Sequence, residues 1–185
     1  MRSRTLRALA VSTALASALA ACGSPLAPLP PPPTGLGRIA VEEPANKTGD
    51  KLEMDDRGAL ALVLGPKTST VSEILAADLR KVLAKQRFDV VAARGATPTL
   101  RIELGRWEAY AADYSMVTVD LKAQVVEPDT RKELWSASRT GWIVRTPDAG
   151  SRPEAYVAAS RAVAEELLEG WQPEKPPAKT TSMPE

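Results

Sequence analysis

Histidine is missing from all 185 residues, and cysteine and phenylalanine occur once each. The first absence removes the side chain that most often serves as general base or metal ligand near neutral pH. A lone cysteine excludes any disulfide within one chain, so the fold must be held by packing even in an oxidising compartment. Charge of neither sign dominates, with 24 Lys+Arg against 23 Asp+Glu, which gives no support to a nucleic-acid partner. No phosphate-binding glycine loop and no Gly-x-Ser-x-Gly elbow occurs. Carboxylates are plentiful, but an acid pair is recognised by its geometry, and here Asp and Glu mostly alternate with apolar residues, as solvated faces do. The expectation is a protein that is not an enzyme and carries no cofactor.

What is present is informative first at the N-terminus. Arg2, Arg4 and Arg7 precede an apolar stretch that runs to Ala21, broken by Ser12, Thr13 and Ser17 and crowded with small residues at its end. That is the pattern of a secretory signal, too short and alanine-rich for a span of about 20 apolar residues. The residues Leu19-Ala20-Ala21-Cys22 resemble the bacterial lipobox. That resemblance implies cleavage before Cys22, a diacylglycerol on its thiol and an acyl chain, typically palmitate, on the new N-terminus. Several chains hold a protein on a membrane where one would leak away. Gly23-Ser24 lacks the aspartate that retains such proteins in the inner membrane, so the resemblance further implies lipid anchoring at the periplasmic face of the outer membrane.

Residues 1–21 therefore read as signal peptide and residues 22–36 as lipidated cysteine and linker. Loss of the signal takes three arginines and no acids, leaving 21 basic against 23 acidic side chains, a net charge of −2. The linker, Ser24 to Gly35, is too proline-dense for helix or inner strand. In polyproline II form, at about 3.1 Å per residue, it would be a semi-rigid spacer of roughly 35 to 40 Å. At the other end, Gln172 to Glu185 is proline-rich, polar and free of aromatics, so disorder is expected for residues 172–185. Between them, residues 37–171 have the size of one domain with one core.

Inside that domain Arg38 to Glu43 alternates as a strand closed by Pro44, and Asn46 to Asp50 supplies turn formers. Ala59 to Leu64 is a further strand candidate before Gly65-Pro66. Thr70-Val71-Ser72-Glu73 has capping-box spacing, followed by Val71, Ile74, Leu75, Leu79, Val82 and Leu83 on one stripe, which predicts a helix to Gln86. Phe88 to Val91 reads as a short strand, and Leu100, Ile102 and Leu104 alternate with Arg101 and Glu103 in another that runs towards Trp107. Between Met116 and Val126, Val117, Val119, Leu121, Ala123 and Val125 alternate with Thr118, Asp120, Lys122 and Gln124. Pro128 to Arg131 turns the chain, and Lys132 to Val144 returns with Trp135 and Trp142. Ser151-Arg152-Pro153-Glu154 opens a last helix carrying Tyr156, Ala159, Val163, Leu167 and Trp171, with Gly170 near its end. The fold class expected is α+β: a mostly antiparallel sheet of five to six strands with two helices on one face.

The early strand followed by Asn46 to Asp50, the helix ending in Arg87-Phe88, and Leu100 to Leu104 leading into paired strands resemble the YajG-type lipoproteins. A similar layout occurs in auxiliary lipoproteins of lipid-transporting ABC systems and in lipoprotein activators of peptidoglycan synthases. The resemblance implies an envelope accessory protein without catalysis. Two readings stay open: a module that docks on an envelope protein, and a lipid-handling auxiliary with an apolar groove between sheet and helices.

Two clusters are candidates for a site. Glu53, Asp55 and Asp56 could offer oxygen ligands to a hard cation, but without Asx-Gly loop spacing they read as a solvated acidic turn, and no metal site is expected. Trp107, Tyr110 and Tyr114 are candidate partner contacts, because Trp and Tyr are enriched in binding hot spots. They compete with a core reading that also covers Trp135 and Trp142, since a domain with one Phe must use its larger aromatics inside.

Overall fold

The first helix begins where its cap dictates. In this computed structural model, which describes residues 27–48, 53–55, 68–92, 97–110, 112 and 114–174, the Thr70 hydroxyl accepts from the Glu73 backbone N–H at 3.2 Å. The Glu73 carboxylate in turn accepts from the Thr70 N–H at 2.8 Å. Helix α1 then spans Val71–Lys85. It ends in a Schellman arrangement, with Phe88 N–H donating to the Leu83 carbonyl and Arg87 N–H to that of Ala84, both at 3.0 Å. The left-handed position this requires is occupied by Arg87, with φ 73°, where glycine would be unstrained.

The second helix, α2, spans Arg152–Leu167 with Ser151 as cap. Here the box is only half made. Ser151 accepts from Glu154 N–H at 3.4 Å, while the Glu154 carboxylate reaches past the cap to Gly150 N–H at 2.7 Å. The two helices are tied to each other by buried polar groups. Ser160 donates to Asp78 at 2.9 Å, and Gln86 Nε2 donates to the Leu168 carbonyl at 2.7 Å.

The strands, in chain order, are β1 (Arg38–Val41), β2 (Ala45–Asn46), β3 (Glu53–Asp55), β4 (Thr68–Thr70), β5 (Asp89–Val91), β6 (Thr99–Ala109), β7 (Met116–Val126) and β8 (Glu133–Arg145). Six of them form one sheet in the order β5-β1-β6-β7-β8, with β2 also paired to β6, while β3 and β4 make a separate antiparallel pair. The long strands β6, β7 and β8 form the expected antiparallel meander. The N-terminal part differs from a plain meander. Strand β1 lies between β5 and β6 and is parallel to both, and β2 is parallel to β6. The sheet is therefore mixed, though mostly antiparallel, and a short strand, Ala45–Asn46, leads into the turn. The turn begins at Asn46, whose side chain accepts from Thr48 N–H at 2.9 Å.

One face of the sheet carries the core. Ile39, Val41, Leu100, Leu104, Val117, Val119, Val125 and Val144 pack against Val71, Leu75, Leu79, Leu83, Ala159, Val163 and Leu167 of the helices. Two of the three register shifts in the meander keep that face apolar. Register shifts after Leu104 on β6 and, on β8, between Arg139 and Trp142, the latter around Gly141 at φ 65°. Each inserts a residue and flips the side-chain parity. Without the second, Trp135 and Trp142, an odd number of residues apart, would point to opposite faces; with it both are buried.

The linker departs most from its expectation. Residues 27–36 do not project as a spacer but lie along the domain: Arg139 Nη1 donates to the Ala27 carbonyl, and Leu29 packs on the core. Pro32 lies beside Gly170, and Leu36 is buried. The physical reason is that a proline-rich segment has little chain entropy to lose on docking, and Leu29 and Leu36 supply apolar surface. The start of the C-terminal tail is held too, with Glu174 N–H donating to the Leu36 carbonyl at 3.0 Å. The signal segment, Cys22, the strand candidate Ala59 to Leu64, Asp56 and the tail from Lys175 lie outside the described residues. Among the described residues no helix is long and apolar enough to cross a membrane.

Candidate functional site

The face of the sheet turned away from the helices is polar along β6 and β7, and its geometry is organised by Asp120. This carboxylate sits between the two bulges. One oxygen accepts from Gly141 N–H at 2.5 Å, and the other lies 3.7 Å from Arg106 Nε. The amide that the β8 bulge frees from the ladder is thereby satisfied by a side chain of the neighbouring strand. A depression of 210 Å³ on this side is lined by Lys47, Glu103, Asp120, Lys122, Ser138 and Thr140. Near the turn into β8, the Glu133 carboxyl is lowered from its ordinary value by the Ser136 hydroxyl first and the Gln124 amide second, against an opposing cost of burial, with Lys122 contributing last.

The three aromatic candidates separate. Trp107 is 1% exposed and lies in the core, because the β6 bulge turns it inward, so it presents no surface to a partner. Its backbone carbonyl accepts from the Tyr156 hydroxyl at 3.2 Å. Tyr114 is half-buried against the core in a left-handed turn, φ 54°, and its carbonyl accepts from Thr146 Oγ1 at 2.6 Å. It shapes the β6–β7 connection and is only partly covered. Tyr110 is 57% exposed. The residue that sequence reasoning missed is Ile143, 58% exposed on β8 opposite Thr118. Tyr110 N–H donates to the Met116 carbonyl, so Tyr110, Met116 and Ile143 fall at one end of the meander. A strictly alternating reading of β8 cannot place Ile143 outside, since the parity changes at Gly141. Trp135 and Trp142 are buried, and Trp135 packs edge-on to Trp171 with ring centroids 5.0 Å apart.

A second feature lies on the helix side, at the open edge of β8. Arg139 shares its face with Trp135 and Ala137 and is only 7% exposed. Besides the Ala27 carbonyl it has no recorded acceptor, and its Nε is buried without a partner. Beside it is a cleft of 460 Å³, lined by the linker residues Ala27 to Pro32, Arg139, Glu166 and Glu169. Of the acidic residues read from sequence as a turn, Glu53 and Asp55 are at the two ends of strand β3, and Asp56 lies outside the described residues. Among the described residues no three His, Cys, Asp or Glu side chains converge as a metal site would require.

No family model and no curated protein matches the chain. It is similar to several solved structures. PelC from Paraburkholderia phytofirmans, solved as a dodecamer, is 15% identical with a TM-score of 0.49, over 80% of this chain and 96% of that one. A Xanthomonas campestris protein of the DUF330 family is 17% identical with a TM-score of 0.48, over 79% and 90%. A lipoprotein from Neisseria meningitidis is 17% identical with a TM-score of 0.38, over 71% of this chain and 98% of that one.

Proposed function

We propose that the chain is a non-enzymatic, lipid-anchored accessory protein of a bacterial envelope, held by acylated Cys22 at the periplasmic face of the outer membrane, that docks on an envelope protein through the outer face of its sheet. The observation that carries docking is that Tyr110 and Ile143, on either side of β7, are large apolar side chains both more than half exposed and at the same end of the meander. Exposed apolar side chains gathered on one face mark contact sites, whereas scattered ones do not. The lipid-handling alternative needs an apolar groove between sheet and helices. That space is occupied instead by Trp107, Leu75, Leu79, Val163 and Leu167, all buried. The absence of histidine supports action by binding rather than by proton transfer.

The reading is tested in living cells with a photo-crosslinking residue at Tyr110. The expected result is one specific envelope protein trapped, with the yield falling at least about tenfold when Ile143→Asp is added, the range reached when a central apolar anchor is lost. A probe at Arg161, on the helix side, should not trap it. Trapping of lipid alone, or equal capture from both positions, would remove the reading.

A further inference from the structure

The cleft under the linker is not used by docking through the sheet, and its chemistry is specific. Arg139 is a guanidinium more than nine-tenths buried, joined to one carbonyl and otherwise without a recorded partner. No carboxylate of the described residues pairs with it. A buried cation in that condition is costly unless an anion completes it, and a guanidinium presents the planar fork that suits phosphate. Its 460 Å³ cleft lies within the range of about 300 to 1,000 Å³ found for small-molecule sites. Pro28 and Pro30 to Pro32 of the roof have no N–H to offer, so Arg139 is the cationic donor that an anionic group would find there.

The rim excludes a simple anion. Glu166 and Glu169 line the same cleft, and neither side chain has a recorded partner. They stand at the C-terminal end of α2, where the helix dipole also favours positive charge. A lone phosphate on Arg139 would face this acidic end, whereas a phosphate carrying an ammonium group would meet both signs. The position of the cleft adds a source. Ala27 is five residues from Cys22, so the cleft's edge lies within about 18 Å of an acylated anchor, at no more than 3.6 Å per residue.

We propose that this cleft binds a phosphoethanolamine group, with the phosphate on Arg139 and the ammonium against Glu166 and Glu169. The group is available as the head of a membrane phospholipid or as a free metabolite, and the site as described takes either. The lipid source rests on the Cys22 anchor proposed above; the site itself does not.

The test uses the full lipidated chain in detergent, titrated by calorimetry with O-phosphoethanolamine, inorganic phosphate and ethanolamine. The expected result is that O-phosphoethanolamine binds at least about tenfold tighter than either fragment, the scale of one charge-assisted hydrogen bond. Arg139→Gln should lose that binding by a similar factor. The paired change Glu166→Gln and Glu169→Gln should bring phosphate and O-phosphoethanolamine within about twofold of each other, since the discriminating charges are gone. Both glutamates are surface groups, so this variant reports even where Arg139→Gln does not fold. Nanodiscs then separate the sources. Weaker apparent binding of the soluble probe in phosphatidylethanolamine discs than in phosphatidylglycerol discs assigns the lipid head, and equal binding assigns the free compound. Absence of selectivity over phosphate in the unaltered chain, or selectivity that survives the paired glutamate change, overturns the proposal. Failure of the Tyr110 crosslink leaves these titrations unaffected.

Discussion

Arg87 shows how a single residue can be legible in kind and still be misplaced in energy. It follows the apolar stripe of α1 directly, and the chain must turn there to enter β5, yet the sequence carries arginine where the turn needs φ 73°. The Schellman bonds of Arg87 and Phe88 hold it there. Arg87→Gly should therefore stabilise the protein by about 1 kcal/mol, the cost that a Cβ brings to the left-handed region, read as a higher midpoint in urea unfolding with an unchanged slope. The candidate site illustrates the other limit. Trp107, Tyr110 and Tyr114 were identifiable from residue type, but type does not state exposure. The parity of Trp107 depends on a bulge, so it is buried, Tyr114 is half-buried, and of the three Tyr110 is the one largely exposed. Arg139 left no signal, because a charged residue in a strand reads as solvent-facing until the linker covering it is known.

At the scale of elements, periodicity carried most of the fold. Both helices start at their capping residues, and β7 spans the alternating run from Met116 to Val126. Alternation failed where the sheet bends, since a bulge is a two-against-one pairing that exists only between strands. Gly141 is its hinge, in open space but at φ 65°. Gly141→Ala meets no atom within 4 Å, so its expected cost is conformational alone, about 1 kcal/mol. Hydrogen exchange should localise the weakening to the β7–β8 ladder around Asp120, not to the helices. An effect spread evenly over the sheet would argue that the bulge does not act locally. The parallel pairs β1–β5 and β1–β6 were illegible for a related reason: pairing partners far apart in sequence leave no local pattern, and a four-residue strand looks the same in either direction.

The whole molecule is closed by its two ends. The segment before β1 and the segment after α2 meet where Glu174 N–H reaches the Leu36 carbonyl and where Gly170 lies beside Pro32. Deleting residues 173–185 should therefore cost about 1 kcal/mol, the net worth of one such hydrogen bond, whereas deletion from Lys175 onward should leave the melting temperature unchanged. A difference scan of the two truncations checks this directly. The sequence-based spacer of roughly 35 to 40 Å becomes a strap that leaves Gly23 to Leu26 between the proposed acylation site, Cys22, and the first seated residue, Ala27. The placement of β1 has a consequence for the order in which the molecule assembles. Strand β1 is made first and has both its neighbours, β5 and β6, some 50 to 60 residues later, so it cannot gain a partner strand until about half of the chain exists and lacks its second until β6 follows. The hairpins β6–β7 and β7–β8 close over connections of about six residues, and such local contacts form early because little loop entropy opposes them. The second half of the chain is therefore expected to close first, with β1 the last strand locked into the sheet; until then Ile39, Ala40 and Val41 form an unpaired apolar segment waiting for its slot.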